Sequence, residues 1–157
     1  MKLRLLLIGK TSEAWLREGC DVYAQRIMHY LPFQQEYLPD IRNTKKMPAD
    51  RLRRQEAQQV MDRLLPGDHL VLLDEKGRQM SSAAMAEWIG QHLVRGTRNL
   101  TFVIAGAYGA DPMLKERADQ IISLSEMTFP HQLVRVIFME QLYRALTIWK
   151  GEKYHNE

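Results

Sequence analysis

Apolar runs of strand length alternate along this chain with stretches whose apolar positions recur every three to four residues. Leu3 to Ile8 reads as a buried strand stopped by Gly9. From Thr11 or Ser12 to Leu31, Trp15, Leu16, Val22, Tyr23, Ile27 and Met28 fall at helical spacing, with Ser12 as the expected N-cap. Phe33 to Leu38 is a short strand between Pro32 and Pro39, followed by polar residues from Asp40 to Met47. Pro48 to Leu65 predicts a helix ended by Pro66-Gly67. His69 to Leu73 predicts a strand, Ser81 to Val94 a Ser-capped helix, and Leu100 to Ala105 another buried strand. A short helix over Lys115 to Gln120, a short strand over Ile121 to Leu124 and a long helix from about His131 to Trp149 complete the order. Strands interleaved with helices predict one α/β domain over residues 1–157 with a mostly parallel sheet.

Composition narrows the class without naming a function. The 157 residues are 45% hydrophobic and 26% charged, which is ordinary for a globular protein with its own core. No apolar run approaches the ~20 residues of a membrane helix. The single cysteine, Cys20, has no internal partner and fits a reducing cytoplasm. His29, His69, His92, His131 and His155 are scattered with no metal-ligand spacing, so no metal is expected. Net charge is only +3, yet Arg42, Lys45, Lys46, Arg51, Arg53 and Arg54 crowd one segment against Asp50 alone. Such a patch suits a polyanion, and it equally suits a solvated helix face.

In open α/β sheets ligands bind beyond the carboxyl ends of strands. Three such ends stand out: Leu73-Asp74, Ala105-Gly106, and Leu124 onward. The segment AGAYGADP lacks the GxGxxG spacing, and no GxxxxGK[ST] occurs, so a dinucleotide or nucleoside-triphosphate site is poorly supported. Its plain reading is a glycine turn with Asp111-Pro112 leading into the next helix. His131 follows Pro130 at the start of the last helix, where a histidine also serves as a surface or capping residue. That helix is apolar on nearly every side, with Gln132, Arg135, Glu140, Arg144 and Thr147 leaving a narrow polar stripe. One side would pack on the sheet, and a symmetric dimer would cover the other. In the polar tail, Tyr154 beside His155 suits an unpaired base, held by stacking and hydrogen bonding.

The run FPHQLVRVIFMEQLYRA, followed by a terminal Lys-Tyr-His, resembles the large-subunit ribosomal RNA methyltransferase H family, a group of small SPOUT-class enzymes. The likeness spans the chain: the KLRLLLIGK opening, LLDEKG, VIAGAYG and SLSEMTFPH follow in the family's order and spacing. The resemblance implies an α/β-knot fold with a C-terminal trefoil knot, a homodimer, and S-adenosylmethionine as cofactor. It implies methyl transfer to N3 of a pseudouridine in a 23S rRNA stem-loop of the assembled ribosome. Its cofactor positions fall on Leu73, Ala105 and the run Leu124, Ser125, Glu126, Met127, Thr128 and Phe129.

Two positions depart from the family pattern. Ala105-Gly106 stands where Gly-Gly is usual, and Asn156 stands where a basic residue commonly follows Tyr-His. For the chemistry, an imide nitrogen must lose a proton while methyl donor and acceptor are aligned. An imidazole, with an unperturbed pKa near ~6.5, suits the base, and His131 and His155 are the candidates. Arg135 or Arg144 would stabilise a developing imidate oxygen, and Tyr154 would stack on the base. The alternatives are a non-enzymatic ribosome- or RNA-binding factor on the same fold, and a knotted methyltransferase acting on another RNA such as tRNA.

Overall fold

The computed structural model describes residues 1–42 and 44–155. Five strands form one all-parallel sheet in the order β2-β1-β4-β3-β5: β1 Lys2–Ile8, β2 Phe33–Leu38, β3 Asp68–Gln79, β4 Asn99–Ile104 and β5 Gln120–Ser123. Parallel strands need crossovers, and the helices α1 Ala14–Met28, α2 Ala49–Met61, α3 Ser82–Val94 and α4 Pro112–Arg117 supply them. The last helix, α5, spans Leu133–Lys150.

Strand alternation sends the two halves of β1 to opposite cores. Leu3, Leu5 and Leu7 face α1, α3 and α5, while Leu6 and Ile8 face α2 and α4. Burial on both faces explains why β1 and β4 read as continuous apolar runs. On the first face, the fully buried rings of Phe102 and Phe138 meet at 4.9 Å between centroids. Burial of each stabilises the fold by roughly 1.5–3 kcal/mol.

Arg4 is the exception inside β1. Its guanidinium pairs with Asp68 and Glu36, both at 2.7 Å, and donates to the Arg63 carbonyl. That network ties β1 to β2 and to the start of β3.

Several boundaries differ from the sequence expectation. Helix α1 starts at Ala14 with Glu13 at its N-cap and no side-chain cap bond. Ser12 instead donates its backbone N–H to the Gln132 side chain, which also donates to the Lys10 carbonyl. Helix α2 stops at Met61, before Leu65. Helix α4 begins at Pro112, not Lys115, because the Asp111 side chain caps it by accepting from the Met113 N–H at 2.8 Å. The polar segment before α2 contains a short 3-10 turn over Thr44–Lys46.

Strand β3 runs on well beyond Leu73. It bulges, and Arg78 and Gln79 rejoin β5 opposite Ile122 and Ser123. Gly77 makes this crossing possible: a Cβ there would lie 2.5 Å from the Ile122 carbonyl carbon and 2.7 Å from its nitrogen. The polar DEKG run hid this extension, since it breaks the apolar pattern on which strand assignment rests.

Candidate active site

A cleft of about 960 Å³ opens at the carboxyl ends of β3, β4 and β5. It sits where a parallel sheet places its ligands. Leu73 and Ala105 line it from β3 and from the turn after β4, and Leu124, Ser125, Met127, Thr128 and Phe129 line it from the loop after β5. Glu126 belongs to that loop but is exposed and stands outside the cleft lining.

Ser125 shapes the loop. Its carbonyl accepts from the Ser123 hydroxyl and its Oγ accepts from the Met127 N–H, both at 2.9 Å. Among the described residues, the backbone groups of Glu126, Thr128 and Phe129 make no hydrogen bond, so the loop presents free donors and acceptors. Tyr108, 61% exposed, also lines the cleft.

Charged groups surround these apolar walls. Lys115 pairs with Asp74 at 2.9 Å, and Asp74 also accepts from the Lys76 N–H. Burial alone would raise the Asp74 carboxyl, but these hydrogen bonds and the Lys115 charge outweigh it and hold it below the ordinary carboxylate range. Glu56, on α2, packs its carboxylate against Gly106, where a Cβ would meet Oε1 at 2.7 Å. Burial, reinforced by the Asp40 charge, pushes its pKa up to about 7. The sequence held one signal for it: Glu56 is a charged residue in phase with Leu52 and Val60 on the inward face of α2.

His131 lines the cleft. Burial, with the Arg135 charge adding to it and Asp40 opposing, moves its pKa below the ordinary value, so its ring is neutral at neutral pH. Arg135 does not line the cleft. It is fully buried and donates to the Gly9 carbonyl at 3.0 Å, to Thr11 Oγ1 at 3.1 Å and to the Ile8 carbonyl. It therefore fastens the first turns of α5 to the end of β1.

Arg144, Tyr154 and His155 form a second cluster, where the tail folds back against α5 at Glu140 and Arg144. Arg144 is held by Glu140, stacks over the Tyr154 ring at 4.8 Å and lies 3.4 Å from His155 Nδ1. The Tyr154 hydroxyl donates to Glu140, and its ring meets Tyr143 edge-on at 4.7 Å. Burial, helped by hydrogen bonding with Tyr23, raises the Tyr154 pKa to about 12. Asn156 lies outside the described residues. The α5 residues of this cluster, Glu140 and Arg144, lie about 10–17 Å along the helix from its start at Leu133.

A family model described as "Predicted SPOUT methyltransferase" matches residues 1–155. The chain belongs to the SPOUT methyltransferase family. It is 47% identical over 156 residues to "Ribosomal RNA large subunit methyltransferase H" of Cytophaga hutchinsonii, covering 99% of this chain and 100% of that protein. Proteins of the same name from Parabacteroides distasonis and Porphyromonas gingivalis are each 41% identical over 157 residues, with both chains fully covered. The positions at which the sequence led us to expect the cofactor line the cleft described above, Glu126 excepted. In this SPOUT methyltransferase the parallel sheet and its flanking helices agree with the fold class read from the sequence.

Proposed function

We propose that this enzyme transfers a methyl group from S-adenosylmethionine to N3 of a pseudouridine in a 23S rRNA stem-loop, acting as a cytoplasmic homodimer on the large subunit. The observation that carries the reading is the pairing of an apolar cleft at three strand ends with an aromatic, basic tail cluster further along α5. The residues fit the cofactor: Leu73 and Leu124 offer apolar walls, and the unbonded backbone groups of Thr128 and Phe129 suit an adenine edge. We take the segment from β5 into α5 to be the threaded part of the family's trefoil knot, one of the rare exceptions to unknotted topology.

The separation of the clusters is the argument for two subunits. Within one chain the tail is held at Glu140 and Arg144, about 10–17 Å along α5 from the cleft end, further than a single base reaches. A two-fold axis that sets two α5 helices antiparallel would place each tail beside the other cleft. Trp15 and Val22, 62% and 42% exposed on one side of α1, would join the half-buried outer stripe of α5 in that seam. Helices α1 and α3 already cover the flanks of α5, so the seam needs only this narrower face.

S-adenosylmethionine supplies its methyl group already activated as a sulfonium. The chain's task is then alignment and removal of the imide proton. Tyr154 of the partner subunit would stack on the base, with Arg144 and His155 of the partner subunit at its oxygens. His131, neutral and in the cleft, is placed to accept the N3 proton. Arg135 acts as a positioning residue, because its Nη1 and Nη2 donate to the end of β1 and the adjoining Thr11. Mass mapping of 23S rRNA from a deletion strain tests the reading. We expect one N3-methylated pseudouridine to disappear and to return with the wild-type gene. Intact 23S methylation, or a loss confined to tRNA, would refute it.

A further inference from the structure

The basic segment before and within α2 divides in two. Arg42, Lys45, Lys46, Arg51 and Arg54 are exposed, as a solvated or polyanion-facing surface would be. Arg53 is not. The helical period puts it in phase with Glu56, Ala57 and Val60, the buried stripe of α2, and its side chain lines the cleft.

Its Nε is closed off from solvent and has no hydrogen-bond partner among the described residues. Nor does its guanidinium join any ion pair among them. The other cations around the cleft differ. Lys115 is paired with Asp74, Lys76 is exposed, and the His131 ring is neutral. Glu56, one turn away, makes no ion pair with Arg53 among the described residues; burial pushes its carboxyl up to about 7, which leaves it largely uncharged below neutral pH.

A partly desolvated guanidinium without a counter-charge calls for an anion with carboxylate or phosphate geometry. S-adenosylmethionine carries one such group, the α-carboxylate of its methionine part, at the end remote from the adenine. We propose that Arg53 binds this carboxylate. The inference rests on the cleft being the S-adenosylmethionine site. It gives the cofactor two anchors: the loop after β5 at the adenine end and α2 at the amino-acid end. An α2 anchor also fixes which way round the molecule lies in the cleft.

Calorimetry with two probes tests it. S-adenosylhomocysteine keeps the amino-acid end, and 5′-methylthioadenosine lacks it. For Arg53→Met we expect S-adenosylhomocysteine to bind roughly 10–100-fold more weakly, the usual range for losing a charge-assisted hydrogen bond. Methylthioadenosine should bind within about twofold of wild type, which also certifies the fold of the variant, and Arg53→Lys should recover part of the loss. Methylation by Arg53→Met at saturating cofactor should keep its kcat while KM for the cofactor rises. Unchanged S-adenosylhomocysteine affinity would overturn the proposal, including the case in which only RNA binding weakens. Equal weakening of both probes would overturn it as well, since the effect would then be structural. Failure of the wild-type protein to bind either probe would refute the cofactor reading itself.

Discussion

Glu56 shows at the scale of one residue how burial and charge set behaviour. A carboxyl ionises near ~4.3 in an unfolded chain, whereas burial and the Asp40 charge raise Glu56 to about 7 when folded. Between those values the folded state holds the proton more tightly, so stability falls as pH rises through that window and stays reduced above it. Glu56→Gln removes the slope. Urea unfolding should find the variant more stable than wild type by about 1–3 kcal/mol near pH 8 and similar to it near pH 4. A constant difference across pH would assign the effect to packing alone. The inward phase of Glu56 was legible from its spacing to Leu52 and Val60, but its contact with Gly106 was not, because 50 positions separate the two residues.

At the scale of elements, the decisive features are close approaches of backbone to backbone. The β3 extension over β5 depends on Gly77, whose missing Cβ leaves room for the Ile122 backbone. Gly77→Ala forces two main chains apart rather than displacing a flexible side chain. Denaturant unfolding should show a loss of about 3 kcal/mol or more, the upper end for overpacking. Hydrogen exchange should show β5 amides opening first. An Ala variant of wild-type stability would remove Gly77 from this role. Arg135 works at the same scale, since it joins α5 to the end of β1 through buried carbonyls. Arg135→Met would leave those acceptors unpaired and should cost about 3 kcal/mol, measured by the same unfolding. Apolar periodicity located both elements. It could not show which backbone each would touch, because glycine and a buried arginine both read as interruptions of the pattern.

For the whole molecule, the distance between cleft and tail makes a distinctive prediction. Leu124→Arg should close the cleft, and Tyr154→Ala with His155→Ala should remove the tail cluster. Each homodimer alone should be inactive. If sites are shared across a two-fold axis, a mixed dimer regains one intact site. Random assortment makes about half the dimers mixed with one working site of two, so methylation should recover to about a quarter of wild type. No recovery on mixing would mean that each chain works alone.

What the sequence by itself determined lies within a turn or a strand. The alternation of apolar runs and helical spacing specified an α/β domain, and the positions of the strand ends marked the cleft before any coordinates. The order and spacing of its motifs along the chain carried the family likeness. Only the tertiary structure decided which strands are neighbours, that Arg53 turns into the cleft while Arg51 and Arg54 face water, and that the tail folds back onto Glu140 and Arg144. The reason is physical: local patterns depend on neighbours a few residues apart. Crossover connections and packing of distant side chains depend on many weak contacts at once, which no single stretch of sequence contains.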